Sequence, residues 1–431
     1  MASETGAAPA PSDTGAARAR PAGNWRRMRL WCTAHAVDDL YQGLVPASVP
    51  YFALDRHYSY VAVSGLALAA TLGSSLPQPL IGLIVDRWRF EWMAAAGVSL
   101  AGVGLGLSGL APAYPMVFLL LLVSGLGVAV FHPSAGTSAR AAAGESAAAM
   151  SIFAAGGSTG FFLAPVLATP ALVSLGLGAT ALFIPPALLI GLLLLRHQQR
   201  ARAARGPGRG AAPPAGRDRW GPFLTMTGVE IVRSMVFFGV NTFIELYWIG
   251  HFHSSRGLAG AALAGFLVGG VAGTLLGGRI ADRIGLVRAL QIGTVAMIPA
   301  LVALRWCPGA DLALAAAVAS GVAVNIPFSV MIKLGQDYLP SRPGTASGVT
   351  LGLGVSVGGL FAPVFGAIAE AWGVAAVFTV ICFVPLVALV LGALLPDPAA
   401  PASAGPVPEP ALTGAGVPAA RSGRSRRRGT R

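Results

Sequence analysis

Long apolar runs separated by short polar stretches set the pattern of this chain. Met116–Val130 and Ala187–Leu195 are typical, and neither alternates between polar and apolar positions. Strands of a membrane barrel alternate every second residue, so these runs predict helices. A helix rises ~1.5 Å per residue and needs ~20 apolar residues to cross ~30 Å of hydrocarbon. On that measure the pattern predicts twelve spans: 28–53, 61–85, 92–111, 115–133, 147–170, 174–195, 221–250, 258–280, 287–305, 311–333, 345–369 and 373–395.

Residues 196–219 interrupt the pattern with seven arginines, Pro213-Pro214 and no apolar run. They predict a basic linker between a first six-helix bundle, 28–195, and a second, 220–395. Residues 1–27 and 396–431 are rich in Ala, Pro, Gly and Arg. That composition buries too little apolar surface to order a chain, so both are expected to be disordered tails. The apolar segment after the first tail contains Asp38 and Asp39 and is too long for the core of a signal peptide. Arg426-Arg427-Arg428 in the last tail either touches anionic lipid or simply marks the side on which the tail stays.

The two bundles repeat. Gly82-x-x-x-Asp86-Arg87 returns as Gly278-x-x-x-Asp282-Arg283, and Gly156-x-x-x-Gly160-x-x-x-x-Pro165 returns as Gly354-x-x-x-Gly358-x-x-x-x-Pro363. Two motifs share nearly one offset, each at the same place in its half. Six helices per half leave both halves in the same orientation, a parallel repeat about an axis along the membrane normal.

Composition narrows the class. Of 431 residues, 55% are hydrophobic and only 11% charged, with mean hydropathy +0.69; soluble domains carry about 25% charged residues. A soluble enzyme is excluded. The net charge of +13 resembles a nucleic-acid signal until its placement is read. Of 30 basic residues only Lys333 is a lysine, a bias that reads as codon usage, and no nucleic-acid partner is expected. Arg233 falls inside a span and Arg56, Arg256 and Arg305 on one side; all the others fall on the opposite side. Basic residues stay on the side of insertion, so both termini are expected in the cytoplasm. Cys32, Cys307 and Cys382 are too few and scattered for a disulfide framework or a metal site.

The two G-x-x-x-D-R loops and the repeat resemble the major facilitator superfamily. The first loop departs from that pattern at Trp88-Arg89-Phe90, whereas Gly285 keeps the second closer to it. A narrower resemblance, to fosmidomycin-resistance transporters, rests on His35-Ala-Val-Asp38-Asp39, Phe131-His132-Pro133, Ser151-Ile152-Phe153 with Gly156-Gly157, and Gln336-Asp337-x-Leu339-Pro340. It covers most of residues 33–395. It implies an all-α membrane protein of twelve helices in two pseudo-symmetric bundles, in a bacterial inner membrane. It also implies proton-driven export of a small compound by a monomer, with the proton gradient in place of any cofactor.

Charge inside hydrocarbon costs ~2.5–3.5 kcal/mol per residue on insertion scales, so each instance needs a reason. Asp38, Asp39, Glu230, Arg233 and Glu245 all fall in the first span of a half. His35, Asp38 and Asp39 are spaced i, i+3 and i+4, one face of a helix. Desolvation disfavours the charged form of a carboxylate, so such a group can exchange a proton as its cavity alternates. Asp39 is the expected coupling carboxylate, with Asp38 second and His35 as hydrogen-bond partner; a structural cluster tying span 1 to a neighbour is the alternative. Glu230 and Arg233 pair at i, i+3. Arg233 has three readings: a bidentate clamp on an anionic substrate, neutralisation of Glu230, or a reach across the cavity to Asp38.

His132 is either a second titrating group or a capping histidine, with Pro133 expected to end its helix. Asn325 is expected to offer a polar cavity contact. Family resemblance implies a gating role for Gly82, Asp86, Arg87, Gly278, Asp282 and Arg283, against the plain alternative of a surface ion pair. Gly156, Gly160, Gly354 and Gly358 permit close helix approach, and Pro165 and Pro363 are expected to bend their spans.

Four functions fit in unequal degree: proton-coupled export, proton-coupled uptake of a metabolite, a membrane enzyme, and a sensor without turnover. No metal-spaced His/Cys set or phosphate-binding G-x-x-x-x-G-K-S/T loop is present, which weighs against an enzyme and against ATP-driven transport. Small-molecule substrate, protons and lipid are the expected partners.

Overall fold

The computed structural model describes residues 21–58, 60–88, 90–205 and 216–398. Residues 1–20, Ser59, Arg89, linker residues 206–215 and residues 399–431 therefore lie outside the described residues, together with the expectations placed on them. Residues 21–27, expected in a disordered tail, instead open the first helix, where Asn24 donates to Ser146 Oγ at 3.4 Å. Among the described residues the chain is helical with no strand: α1 (Pro21–Arg56), α2 (Tyr60–Ser75), α3 (Gln78–Trp88), α4 (Met93–Ser108), α5 (Tyr114–Ala143), α6 (Ala147–Leu175), α7 (Ile184–Arg205), α8 (Trp220–His251), α9 (Arg256–Ile284), α10 (Leu286–Trp306), α11 (Ala310–Tyr338), α12 (Pro343–Gly348), α13 (Gly354–Gly359), α14 (Ala362–Trp372) and α15 (Val374–Ala393).

Nine segments among the described residues are long and apolar enough to cross a membrane. One of them, Ala147–Ala203, has 57 residues; at ~1.5 Å per residue it is far too long for one crossing, and a 3₁₀ stretch at Gly176–Phe183 divides it into α6 and α7. α4 is apolar but shorter, and α1 carries Asp38 and Asp39 in mid-helix besides the charges near its ends. With these, the twelve spans of an all-α membrane fold are accounted for.

Buried residues of the first half form a main cluster, Met28 to Leu194, that also takes in Ile332 and Leu351, and a small one of Ile81, Val85, Met93 and Ala129. Those of the second half form two: one lies near the start of α11, and the other, joined by Ala147, near its end. Trp25, Trp88, Trp92 and Trp220 are exposed at one end of the helices, and Trp306 and Trp372 at the other. Amphipathic indoles favour the two membrane–water interfaces.

Three further expectations need correction. Pro133 does not end its helix: α5 runs on to Ala143. In lipid an unwound segment would leave further backbone groups without partners, so a proline interrupts one hydrogen bond and the helix continues. Span 2 is not one helix but two, parted at Ser75-Leu76-Pro77, because a residue before proline is pushed out of the helical region. Span 11 is likewise divided by a π turn at Val349–Leu353 and a break at Leu360-Phe361. Pro363 there opens α14, where a proline costs nothing, while Pro165 sits inside a continuous α6.

Candidate functional site

α1 carries His35, Asp38, Asp39 and Gln42 on successive turns, and α6 lies against it. Glycine makes that approach possible. A Cβ on Gly156 would fall 3.0 Å from Cys32 Cα, one on Gly160 2.7 Å from the Ala36 carbonyl carbon, and one on Gly157 2.7 Å from His35 Nε2. In the second half Gly354 faces the Glu230 side chain at 3.0 Å, and Gly358 packs on Ser234 of α8. Both copies of the repeated glycine motif thus seat a helix against the charged first helix of their own half.

His35 Nδ1 lies 2.8 Å from the Phe153 carbonyl, which can only accept, so the ring donates there. Its other nitrogen then faces Asp39 Oδ2 at 3.3 Å, and one proton must lie between them for the contact to attract. His132 arrives from α5 with Nε2 3.1 Å from Asp39 Oδ1 and 3.8 Å from Asp38 Oδ2. Gln42 donates to Asp39 Oδ1 at 3.0 Å, and Gln78 of α3 places its amide nitrogen 3.3 Å from His132 Nδ1. Asp39 is thus ringed by partners. Asp38, fully buried, has no hydrogen bond to either oxygen among the described residues.

One ligand atom each from His35, Asp39 and His132 lies within 4.8 Å of the others, close enough to share an ion. Hydrogen bonds from Gln42 and His132 engage Asp39 Oδ1.

On α8 the three readings of Arg233 narrow. Its Nη2 donates to Glu230 Oε1 at 2.7 Å and its Nε to Oε2 at 3.0 Å. The guanidinium lies over Phe328 at 4.8 Å and Phe237 at 6.0 Å. It neutralises Glu230 in this state and makes no ion pair with Asp38. Nη1 has no hydrogen-bond partner among the described residues. Asn325 turns instead to its own helix, donating to Gly321 O at 3.0 Å beside Gly270. Glu245 is exposed.

The repeated Asp-Arg loops meet the opposite half symmetrically. Asp86 accepts from Gly344 N (2.7 Å), Thr345 N (2.8 Å) and Thr345 Oγ1 (2.7 Å) at the start of α12. Asp282 accepts from Ala147 N (2.6 Å), Ala148 N (3.1 Å) and Ser146 Oγ (3.0 Å) at the start of α6. Helix N-termini favour anions through free N–H groups and the dipole. Gly82 and Gly278 bring these helices together: a Cβ on the first would lie 2.6 Å from Gly344 O, and on the second 2.5 Å from Ser151 Cβ. The carboxylates bridge the halves and the arginines do not. Arg87 stacks on Trp88 at 5.7 Å, and Arg283 is exposed.

Residues given no role from sequence complete this end. Asp337 accepts from Arg140 at 2.6 Å across the halves and from Lys333, the chain's sole lysine, at 2.8 Å on its own helix. Gln336 donates to Gly136 O at 3.1 Å. Ser75 and Ser356 hydrogen-bond nearer mid-depth. Among the described residues no hydrogen bond or ion pair joins the halves at the opposite end. The signal for Asp337 was its motif; Gln42 and Gln78 were marked only as polar residues inside apolar spans.

Comparison with known proteins agrees with this architecture. A family model described as Major Facilitator Superfamily matches residues 31–350 and 226–428. The fosmidomycin resistance protein of Escherichia coli is 28% identical over 381 residues, 84% of this chain and 91% of that protein. An uncharacterized MFS-type transporter of Bacillus subtilis, YfnC, is 27% identical over 377 residues with the same coverage. Among solved structures, the E. coli fucose:proton symporter FucP superposes with TM-score 0.68 at 14% identity, covering 87% of this chain and all of that one. FucP in the outward conformation gives 0.70 at the same identity and coverage.

Proposed function

We propose that this chain, which belongs to the Major Facilitator Superfamily of membrane transporters and is not an enzyme, exports a small drug-like or anionic compound in exchange for protons. The observation that carries the reading is the buried cluster on α1, where Asp39 is held by two histidines and Asp38 has no hydrogen bond among the described residues, its nearest charged contact being His132 at 3.8 Å. An uncompensated carboxylate in such a place costs several kcal/mol. The proton therefore resides on Asp38 in this state, and on Asp39 or its histidines when the cavity turns. A membrane potential supplies ~2.3 kcal/mol per proton per 100 mV. The fosmidomycin resistance relative supports a fosmidomycin-like substrate and export as the direction.

The arginine-rich end is read as cytoplasmic by the positive-inside rule, which puts both termini there and the chain, as a monomer, in a bacterial inner membrane. The Asp86 and Asp282 contacts hold the two halves together at that end. Proton and substrate then take turns as the latches break and re-form.

The test is fosmidomycin tolerance in a sensitive bacterium lacking its own exporter, with membrane levels matched by immunoblot. Wild type is expected to raise tolerance and Asp39→Asn to remove the gain. If wild type matches empty vector, fosmidomycin falls as the substrate. If Asp39→Asn matches wild type, the cluster does not couple.

Arg233 supports an anionic group on the substrate. Arg233→Lys keeps the charge but loses the fork onto Glu230 and any oxyanion. It is expected to weaken binding of an anionic substrate by about tenfold, or ~1.4 kcal/mol, and to lower the thermal midpoint, since the buried fork onto Glu230 and the stack on Phe328 are lost as well. Unchanged affinity in the folded variant removes Arg233 from the substrate site.

A further inference from the structure

We infer that Gln78 transmits the protonation state of the α1 cluster to the opposite half, acting as a positioning residue and carrying no proton itself. The inference rests on the proton-exchange reading above. Gln78 opens α3 directly after the break at Pro77 and is 2% exposed. On one side its amide nitrogen meets His132; on the other it fills the space where Gly352 would carry a side chain, with Oε1 the amide atom nearest that missing Cβ. Its own carbonyl oxygen lies 2.5 Å from the Cβ position of Gly348. Gly348 ends α12 and Gly352 lies in the π turn that follows it. The same short segment begins with Gly344 and Thr345, the residues Asp86 holds. Wide π turns inside helices recur at functional sites.

An amide has two unlike ends, and only one of them is used here. Nε2 donates toward His132 Nδ1, which requires a lone pair on that nitrogen and a proton on Nε2, facing Asp39. Oε1 is buried with no partner among the described residues. A second proton on His132, at Nδ1, would set N–H against N–H. The amide then turns, Oε1 accepts the new proton, and the NH2 group swings toward Gly352 and the π turn. The charged and titratable groups facing His132 are Asp39, Asp38 and His35, all on α1; Gln78 is its polar contact on α3. Protonation of the first half thereby changes which group presses on the second.

The test uses the full chain in lipid vesicles, with the three native cysteines replaced by alanine and Ala346→Cys added as a reporter. Ala346 is fully buried one residue beyond the Asp86 contact, so its reaction with N-ethylmaleimide reports opening of this end. Rates are measured between pH 5.5 and 8 and normalised to free cysteine at each pH. The reporter chain is expected to vary at least about fivefold across that range, and Gln78→Leu to flatten the profile below about twofold. Gln78→Glu keeps an acceptor at the same reach and is expected to retain a profile with a displaced midpoint. This variant decides the matter where Gln78→Leu does not fold, and an unmoved midpoint overturns the inference. A pH-dependent Gln78→Leu chain overturns the inference and leaves the proton reading intact. A flat profile in the reporter chain itself removes both.

Discussion

Asp38→Asn is expected to abolish proton-driven export while leaving the chain as stable as wild type, within about 1 kcal/mol. Asp38 makes no hydrogen bond with either oxygen among the described residues, so an amide of the same shape loses nothing that the carboxyl had. What it loses is the capacity to release a proton. With ~2.3 kcal/mol available per proton at 100 mV, and ~1.4 kcal/mol per tenfold, the forfeited substrate gradient is roughly fiftyfold. Exchange of labelled for unlabelled substrate needs no net proton movement and is expected to persist. Asp39→Asn should differ in kind. It breaks contacts with His35 and His132 at 3.3 and 3.1 Å, and removing one partner of a buried pair costs about 3–5 kcal/mol. Thermal midpoints of the two variants beside their proton-driven fluxes make the comparison. Equal destabilisation, or persistent driven flux in Asp38→Asn, contradicts the assignment of the proton to Asp38.

The second large effect belongs to the seam. Asp86 and Asp282 each accept three hydrogen bonds at the start of a helix in the other half. A well-placed anion at a helix N-terminus contributes up to ~2 kcal/mol, which at ~1.4 kcal/mol per tenfold corresponds to a roughly thirtyfold shift in the closed–open equilibrium. Asp86→Ala and Asp282→Ala are each expected to raise maleimide reactivity of a cysteine at buried Ala149 by about that factor. The double variant should approach the product, since distant sites add. Arg87→Gln and Arg283→Gln should change it little, because neither arginine bridges the halves and exposed charges contribute ~0–1 kcal/mol. Unchanged reactivity in the double variant would show that Arg140–Asp337 and the packed glycines close this end alone.

The repeat was legible because the motifs that define it are local, and charge on α1 and α8 was legible because lipid makes any buried charge conspicuous. Partnership was not legible. Nothing near residue 39 marks His132, 93 positions away, as its neighbour. Nothing near residue 86 shows that its carboxylate meets backbone 258 positions on. Arg233 had three readings because i, i+3 spacing permits a pair without requiring it. Asn325 was placed in the cavity by its polarity, yet its own helix supplies the carbonyl that satisfies it. Pro133 was misread by a rule for helices in water, where a proline's freed carbonyl has competing solvent. In lipid the helix has no better alternative than to continue. The break at Pro77 follows a visible proline, but what it achieves, aiming Gln78 between His132 and Gly352, appears only in three dimensions.

The most direct measurement uses purified protein in vesicles with an acidic lumen, fosmidomycin outside and a pH dye within. Proton exchange predicts that fosmidomycin accumulates as the lumen turns alkaline, and that an uncoupler or Asp38→Asn stops both. Accumulation only when the outside is the acidic side would establish uptake with protons, and movement indifferent to the gradient would leave the α1 cluster without a role in coupling.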